Sequence, residues 1–127
     1  MTTTEVLNAY LQHLENGKTE AIISLFSKDG MVDSPIYGIQ KADQFYKELG
    51  NDTSNSKLQL KGIFEQNGSK NFALYFNYLW TLNNGKHVEF DVVDIIELNS
   101  EHKITKLKII YDTVVSRTLI HELKHDI

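Results

Sequence analysis

The chain has no cysteine, a single proline (Pro35) and a single arginine (Arg117) in 127 residues. Without thiols there can be no disulfide, no cysteine nucleophile and no cysteine-ligated zinc. One arginine, scattered lysines and a formal charge of −4 from 13 basic and 17 acidic residues leave no basic stripe for a nucleic-acid backbone. No apolar run approaches the length of a membrane span. The start, MTTTEVLNAY, lacks the basic stretch and apolar core of a secretory signal, so a cytoplasmic location is expected. Phosphate-binding glycine loops and nucleotide fingerprints are also missing. What remains is a chain with 41% hydrophobic and 24% charged residues, which predicts one soluble globular domain over 1–127 with a substantial core.

Helical periodicity dominates the first third. Thr2, Thr3 and Thr4 offer N-caps to a stripe of Val6, Leu7, Tyr10, Leu11 and Leu14 that ends at Asn16-Gly17. A second short helix carries Ala21, Ile22, Leu25 and Phe26 and stops at Asp29-Gly30. Met31 to Ser34 reads as a strand stub closed by Pro35. A third helix is expected from Gly38 to Leu49, with Ile39, Ala42, Phe45, Tyr46 and Leu49 on one side, and NDTSNS at 51–56 reads as a mobile polar loop. From Lys57 the period becomes two. Strands are expected at about 57–66, 70–82, 86–98 and 103–112, joined by Asn67-Gly68, Asn83-Asn84-Gly85 and Asn99-Ser100-Glu101-His102. Three helices followed by a four-strand antiparallel meander is an α+β pattern with the helices on one sheet face. The extension 114–127 forms either a short helix through Leu119, Ile120 and Leu123 or a cap on a barrel rim.

Two strands carry more than fold information. In 70–82, Phe72, Leu74, Phe76, Tyr78 and Trp80 line one face, yet Ala73, Tyr75 and Leu79 on the other are not solvent types either. An antiparallel strand apolar on both faces is covered on both, and a second subunit is the simplest cover, so a homodimer is expected. In His87 to Leu98 the inward series Val88, Phe90, Val92, Ile96 and Leu98 is interrupted by Asp94. A carboxylate placed there loses its hydration, so it is hydrogen-bonded, stays protonated or lines a cavity. An aspartate pinned by a backbone donor is the structural alternative to a site carboxyl. Tyr111 and Leu107 share a face and are expected to line a pocket. His121 and His125, one helical turn apart, lack a third ligand, so no metal is expected.

The block AYLQHLENGKTEAIISLFSKDGMVDSP, together with VVDIIELNSEHKITKLKIIYDT, resembles the nuclear-transport-factor-2-like superfamily over about residues 5–113. The likeness is to its ketosteroid isomerase and SnoaL-like polyketide cyclase branches. It implies three N-terminal helices packed in a strongly curved, mainly antiparallel sheet, a cone with a deep apolar pocket that dimerises through the outer sheet face. It also places Tyr10 and Asp94 on the isomerases' oxyanion-hole pair, a tyrosine hydroxyl and a protonated carboxylic acid that both donate to an enolate oxygen. Those isomerases are the standard example of an acid kept neutral by an apolar site. Where they carry the catalytic base, just before Pro35, this chain has Ser34, whose hydroxyl needs a base of its own. Asp33 is adjacent but points to the opposite face of an extended segment, and would serve only if the stub twists at Pro35. Epoxide hydrolases of this fold depend on an arginine between two carboxylates, and Arg117 lies beyond the last strand, which argues against that activity.

The expectation is a cofactor-independent isomerase, cyclase or dehydratase acting on a small polyketide-, terpenoid- or steroid-like carbonyl compound. Asp94, Tyr10 and Asp33 are the catalytic candidates, and Ser34, Leu107 and Tyr111 the ligand-binding ones. The alternative is a non-catalytic ligand-binding or dimerisation module, which fold alone does not separate from an enzyme.

Overall fold

The computed structural model describes residues 1–125. Helix α1 (Thr3–Glu15) opens on a capping box. The Thr2 hydroxyl accepts the Glu5 amide at 3.2 Å, and Glu5 accepts the Thr2 amide at 2.9 Å. Helix α2 (Thr19–Ser24) is short, and strand β1 (Phe26–Ser34) follows it directly. Then come β2 (Gly38–Lys41), α3 (Ala42–Asp52), β3 (Thr53–Glu65), β4 (Asn71–Leu82), β5 (His87–Leu98), β6 (Ile104–Ile110) and α4 (Val114–His125). The strands form one curved sheet in the order β2-β1-β6-β5-β4-β3, antiparallel except where β1 runs parallel to β6.

The sheet's inner face and the helices make one core. β4 alternates perfectly, with Phe72, Leu74, Phe76, Tyr78, Trp80 and Leu82 all buried against Leu7, Tyr10, Phe45 and Tyr46. Burying each large side chain contributes about 1.5–3 kcal/mol. Trp80 keeps its ring nitrogen satisfied by donating to Thr53 Oγ1 at 2.8 Å. Tight hairpins need glycine at left-handed φ, supplied by Gly68 (73°) and Gly85 (85°).

Four expectations need correction. The second helix does not reach Asp29, and the strand is no stub. β1 has nine residues, with a bulge between Phe26 and Met31 that absorbs the polar run Ser27-Lys28-Asp29. Gly30 makes that bulge possible, because a Cβ there would lie 2.9 Å from both the Ile104 carbonyl oxygen and the Phe26 ring. The third helix starts at Ala42, since Gly38–Lys41 pairs with β1 and leaves Ile39 exposed on the outer face. NDTSNS is not a loop. Asn51 and Asp52 finish α3, and the rest opens β3, where Ser54 donates to the Leu82 carbonyl at 3.0 Å and Ser56 pairs with the Tyr78 hydroxyl at 2.6 Å. The expected four-strand antiparallel meander is present as β3–β6, and β1, parallel to β6, extends it with β2 to a six-strand sheet.

Helix α4 settles the extension as helical. Arg117 Nη2 donates to the Pro35 carbonyl at 2.7 Å, Lys124 pairs with Asp52 and Glu48 of α3, and Glu122 pairs with Lys86 beside the β4–β5 turn. The helix thus lies across the end of the cone where those three elements meet, with Leu119, Ile120 and Leu123 turned to the core.

Candidate functional site

Asp94 stands in the middle of β5, beside Leu74 of β4 and Ile109 of β6, and is 2% exposed. The alternation of β5 puts it inward with Val92 and Ile96. Its Oδ1 has no hydrogen-bond partner. An aspartate pinned by a backbone donor is therefore not what the strand holds at that oxygen. Burial pushes the carboxyl up to about 8, against a smaller opposing pull from the Tyr10 hydroxyl. Burial therefore favours the neutral acid over the carboxylate at this position.

Asp94 helps to line an apolar cavity of about 50 Å³. One wall is a stack of Tyr78, Phe90 and Tyr111, with ring centroids 5.6 and 4.1 Å apart. Phe45 and Leu49 of α3 face it from the other side, and Ser34 and Tyr37 form the rim at the β1–β2 turn. A benzene-sized ring needs a cavity of about 150 Å³, so even a single-ring ligand requires the rim at Ser34 and Tyr37 to move. A wider recess of about 670 Å³ lies elsewhere, between the α1–α2 junction, the end of α3 and the start of β3. It is lined mainly by polar residues such as Asn16, Asn51, Ser54 and Asn55, and none of the buried titratable groups opens into it.

The structure divides the sequence-derived candidates. Asp94, Ser34 and Tyr111 share the cavity. Tyr10 does not line it: its hydroxyl is 2.7 Å from the Tyr46 hydroxyl in a fully buried layer behind Asp94. Burial raises the Tyr10 phenol well above its ordinary value, with Tyr46 and Asp94 adding to the effect. Asp33 is excluded as a base for this cavity. β1 stays extended to Ser34, so Asp33 points outward beside Met31, Ile39 and Lys106. Leu107 is fully buried core and forms no part of the cavity wall, because β6 turns Ile109 and Tyr111 toward it instead. The Ser34 hydroxyl is occupied in the turn, accepting the amides of Ile36 at 3.2 Å and Tyr37 at 3.0 Å. Arg117 lies outside the cavity, its guanidinium spent on Pro35 and Thr113. Among the described residues no cluster of three potential metal ligands exists, although the His121 and His125 rings are 4.4 Å apart.

Two cavity-related residues escaped the sequence reading. Tyr37 lies in the turn after Ser34, where no periodicity marks a facing. Asp52 was hidden in the polar run taken for a loop. It is 6% exposed and accepts the Tyr37 hydroxyl at 2.7 Å.

Neither a protein-family model nor a curated protein sequence matches the chain. Solved structures do match. TerC, co-crystallised with polyporic acid, superposes with a TM-score of 0.77 at 19% identity, over 94% of this chain and 98% of that one. A protein from Catenulispora acidiphila with a ketosteroid isomerase-like fold, in complex with trimethylamine, gives 0.75 at 13% identity over 87% and 88%. SalBIII, an epoxide hydrolase/cyclase-like enzyme in pyran ring formation in polyether salinomycin, gives 0.73 at 15% identity over 87% and 90%. NTF2-like proteins from Burkholderia pseudomallei and Cytophaga hutchinsonii match as well. At these identities the likeness shows the fold: the chain has the α+β architecture shared by those nuclear-transport-factor-2-like and ketosteroid isomerase-like structures. The helix where α4 lies shows no stretch long and apolar enough to cross a membrane, and neither does any other helix among the described residues.

Proposed function

We propose that the protein binds a small, mainly apolar carbonyl or phenolic compound in the Asp94 cavity and catalyses a cofactor-independent isomerisation, cyclisation or dehydration of it. The carrying observation is the Asp94 carboxyl: buried, lacking a partner at Oδ1, and facing an aromatic-walled cavity. A neutral acid in such a place donates to an oxygen that gains negative charge, and a preorganised donor in a dry site is worth far more there than in water. Tyr10 and Tyr46 act from behind, their coupled hydroxyls biasing which Asp94 oxygen carries the proton. Neighbours of this fold that carry polyporic acid or are described as cyclase-like support a polyketide-type ligand.

The test is binding of 4-nitrophenol, whose ionised and neutral forms differ in colour. Below pH 8 the wild type should take up the phenolate in preference to the phenol. Asp94→Asn should weaken that preference several-fold, and Asp94→Leu should abolish it. Equal binding of both forms by the wild type contradicts the proposal.

A homodimer through the outer sheet face belongs to the same reading. Register pairing puts Phe64, Ala73 and Ile95 in one outward row and Tyr75, Val93 and Ile110 in the next. Phe64 is 59% and Ile110 48% exposed in the single chain, and a contiguous apolar patch of this kind marks an interaction surface.

A further inference from the structure

The described residues bury two carboxyls, and the site as drawn so far uses only Asp94. Asp52, the last residue of α3, has an unusual pair of partners for a helix terminus. Its Oδ2 accepts the Tyr37 hydroxyl at 2.7 Å and meets Lys124 Nζ of α4 at 3.0 Å. Lys124 also reaches Glu48 Oε2 at 3.4 Å. Tyr37 itself lies on the cavity rim, its ring fixed edge-on against Phe45 at 5.7 Å and its backbone amide held by Ser34. A line of polar groups therefore runs from the cavity, through one phenol, to a buried carboxylate whose charge is compensated by an ammonium.

We propose that Tyr37, backed by Asp52 and positioned through Lys124, is the proton acceptor of this site, in place of the carboxylate that position 34 lacks. The inference rests on the reading of the Asp94 cavity given above and adds the base to it. When a ligand ketone enolises, the C–H bond beside the carbonyl breaks. Its proton goes to a lone pair of Tyr37 Oη as Tyr37's own proton crosses to Asp52 Oδ2. The C–H electron pair becomes the new carbon–carbon π bond, the carbonyl π pair moves to oxygen, and Asp94 donates to that oxygen. Return of the proton to a different carbon completes an isomerisation, with no oxidant or reductant.

The environments suit the two roles. Burial, then Asp52 itself, push the Tyr37 phenol far above its ordinary value, so a free tyrosinate is not the base and the two transfers occur together. Around Lys124, burial works against the charge, but Asp52 and Glu48 outweigh it and hold the ammonium. The groups facing this relay are Asp52 and Glu48 of α3, Lys124 of α4 and Tyr111 at the end of β6. Those facing Asp94 are Tyr10, Tyr46, Tyr78 and Tyr111. Asp94 faces the cavity with Oδ1 unpartnered, whereas Asp52 sits behind Tyr37 beside an ammonium, so the first is placed to donate and the second to accept.

The probe is 3-cyclohexenone, a single-ring β,γ-unsaturated ketone, followed in D₂O by proton NMR for exchange at the α carbon and by ultraviolet absorbance for the conjugated product. Wild type should exchange faster than buffer, with a rate that falls above about pH 8 as Asp94 ionises. Tyr37→Phe and Asp52→Asn should each lose about 100-fold or more. Lys124→Gln should slow exchange several-fold with KM unchanged, and Lys124→Arg, which keeps the cation beside Asp52, should restore the rate; a purely structural tie would not give that split. Should Asp52→Asn fail to fold, Tyr37→Phe, which removes one oxygen atom, decides. Exchange undiminished in the Tyr37→Phe protein overturns the relay. Wild type that binds 4-nitrophenolate but never exceeds buffer overturns the relay alone, whereas loss of phenolate binding as well brings down the cavity reading beneath it.

Discussion

At the scale of the residue, Asp94 is the group on which the proposed function rests, and its burial costs stability. Burial pushes its carboxyl up to about 8 in the folded chain from an ordinary value near 3.8, so the folded state holds the proton more tightly between those limits. Stability is then greatest below the unfolded value and falls as pH rises toward 8, by on the order of 4 kcal/mol at pH 7. Urea unfolding of Asp94→Asn should remove most of that slope and leave the variant more stable than wild type at neutral pH. A wild-type stability that rises between pH 5 and 8 would contradict the assignment. Ser34 carries the opposite balance. Ser34→Ala removes the acceptor for two amides and should lose about 1 kcal/mol, while Ser34→Asp keeps an acceptor in the turn and should recover it. Asp94 was legible from the sequence because strand alternation fixes which way each side chain points, and one polar residue in an inward series stands out. Tyr37 and Asp52 were not, since their roles depend on a turn and a helix end meeting across 15 positions, for which no period exists.

At the scale of the element, β4 and β5 were readable from alternation alone, and α1 from its cap and stripe. β1 was hidden because a bulge lets a strand carry Ser27-Lys28-Asp29-Gly30, a run with the composition of a turn. Gly30 tests that explanation. Gly30→Ala drives a Cβ into the Ile104 carbonyl and the Phe26 ring, so it should destabilise by about 2 kcal/mol or more; an unchanged melting temperature would mean the bulge is not constrained there. α4 buries only Ser116 completely, and its outer anchors are exposed ion pairs, a kind worth about 0–1 kcal/mol each. Hydrogen exchange should therefore open α4 well before β4 and β5, and added salt should widen the gap. Protection of α4 equal to that of the central strands would show it to be part of the global core rather than a cover on the cavity end of the cone.

At the scale of the molecule, the α+β class, with helices on one sheet face, follows from the switch of hydrophobic period near Lys57, whereas the sheet's curvature was implied only by the family resemblance. The sequence also pointed to a strand with two apolar faces, although Phe76 and Trp80 turn inward and the outward face belongs to Tyr75, Phe64 and Ile110. If that face joins two copies, light scattering at micromolar concentration should give a dimer, and Ile110→Lys with Phe64→Glu should give a folded monomer. A monomeric wild type would leave the patch without a partner and remove the dimer from the account. The small cavity was the least predictable quantity, since it depends on how Tyr37, Phe90 and Tyr111 pack against one another.

The central claim is that Asp94 is a neutral acid at physiological pH, and carbon-13 NMR of its carboxyl across a pH titration tests it most directly. The resonance should move with a midpoint near 8, and saturation with 4-nitrophenol below that pH should perturb it. A midpoint near that of an ordinary aspartate, around 4, would show a charged carboxylate in the cavity and contradict the donor role on which the proposed chemistry rests.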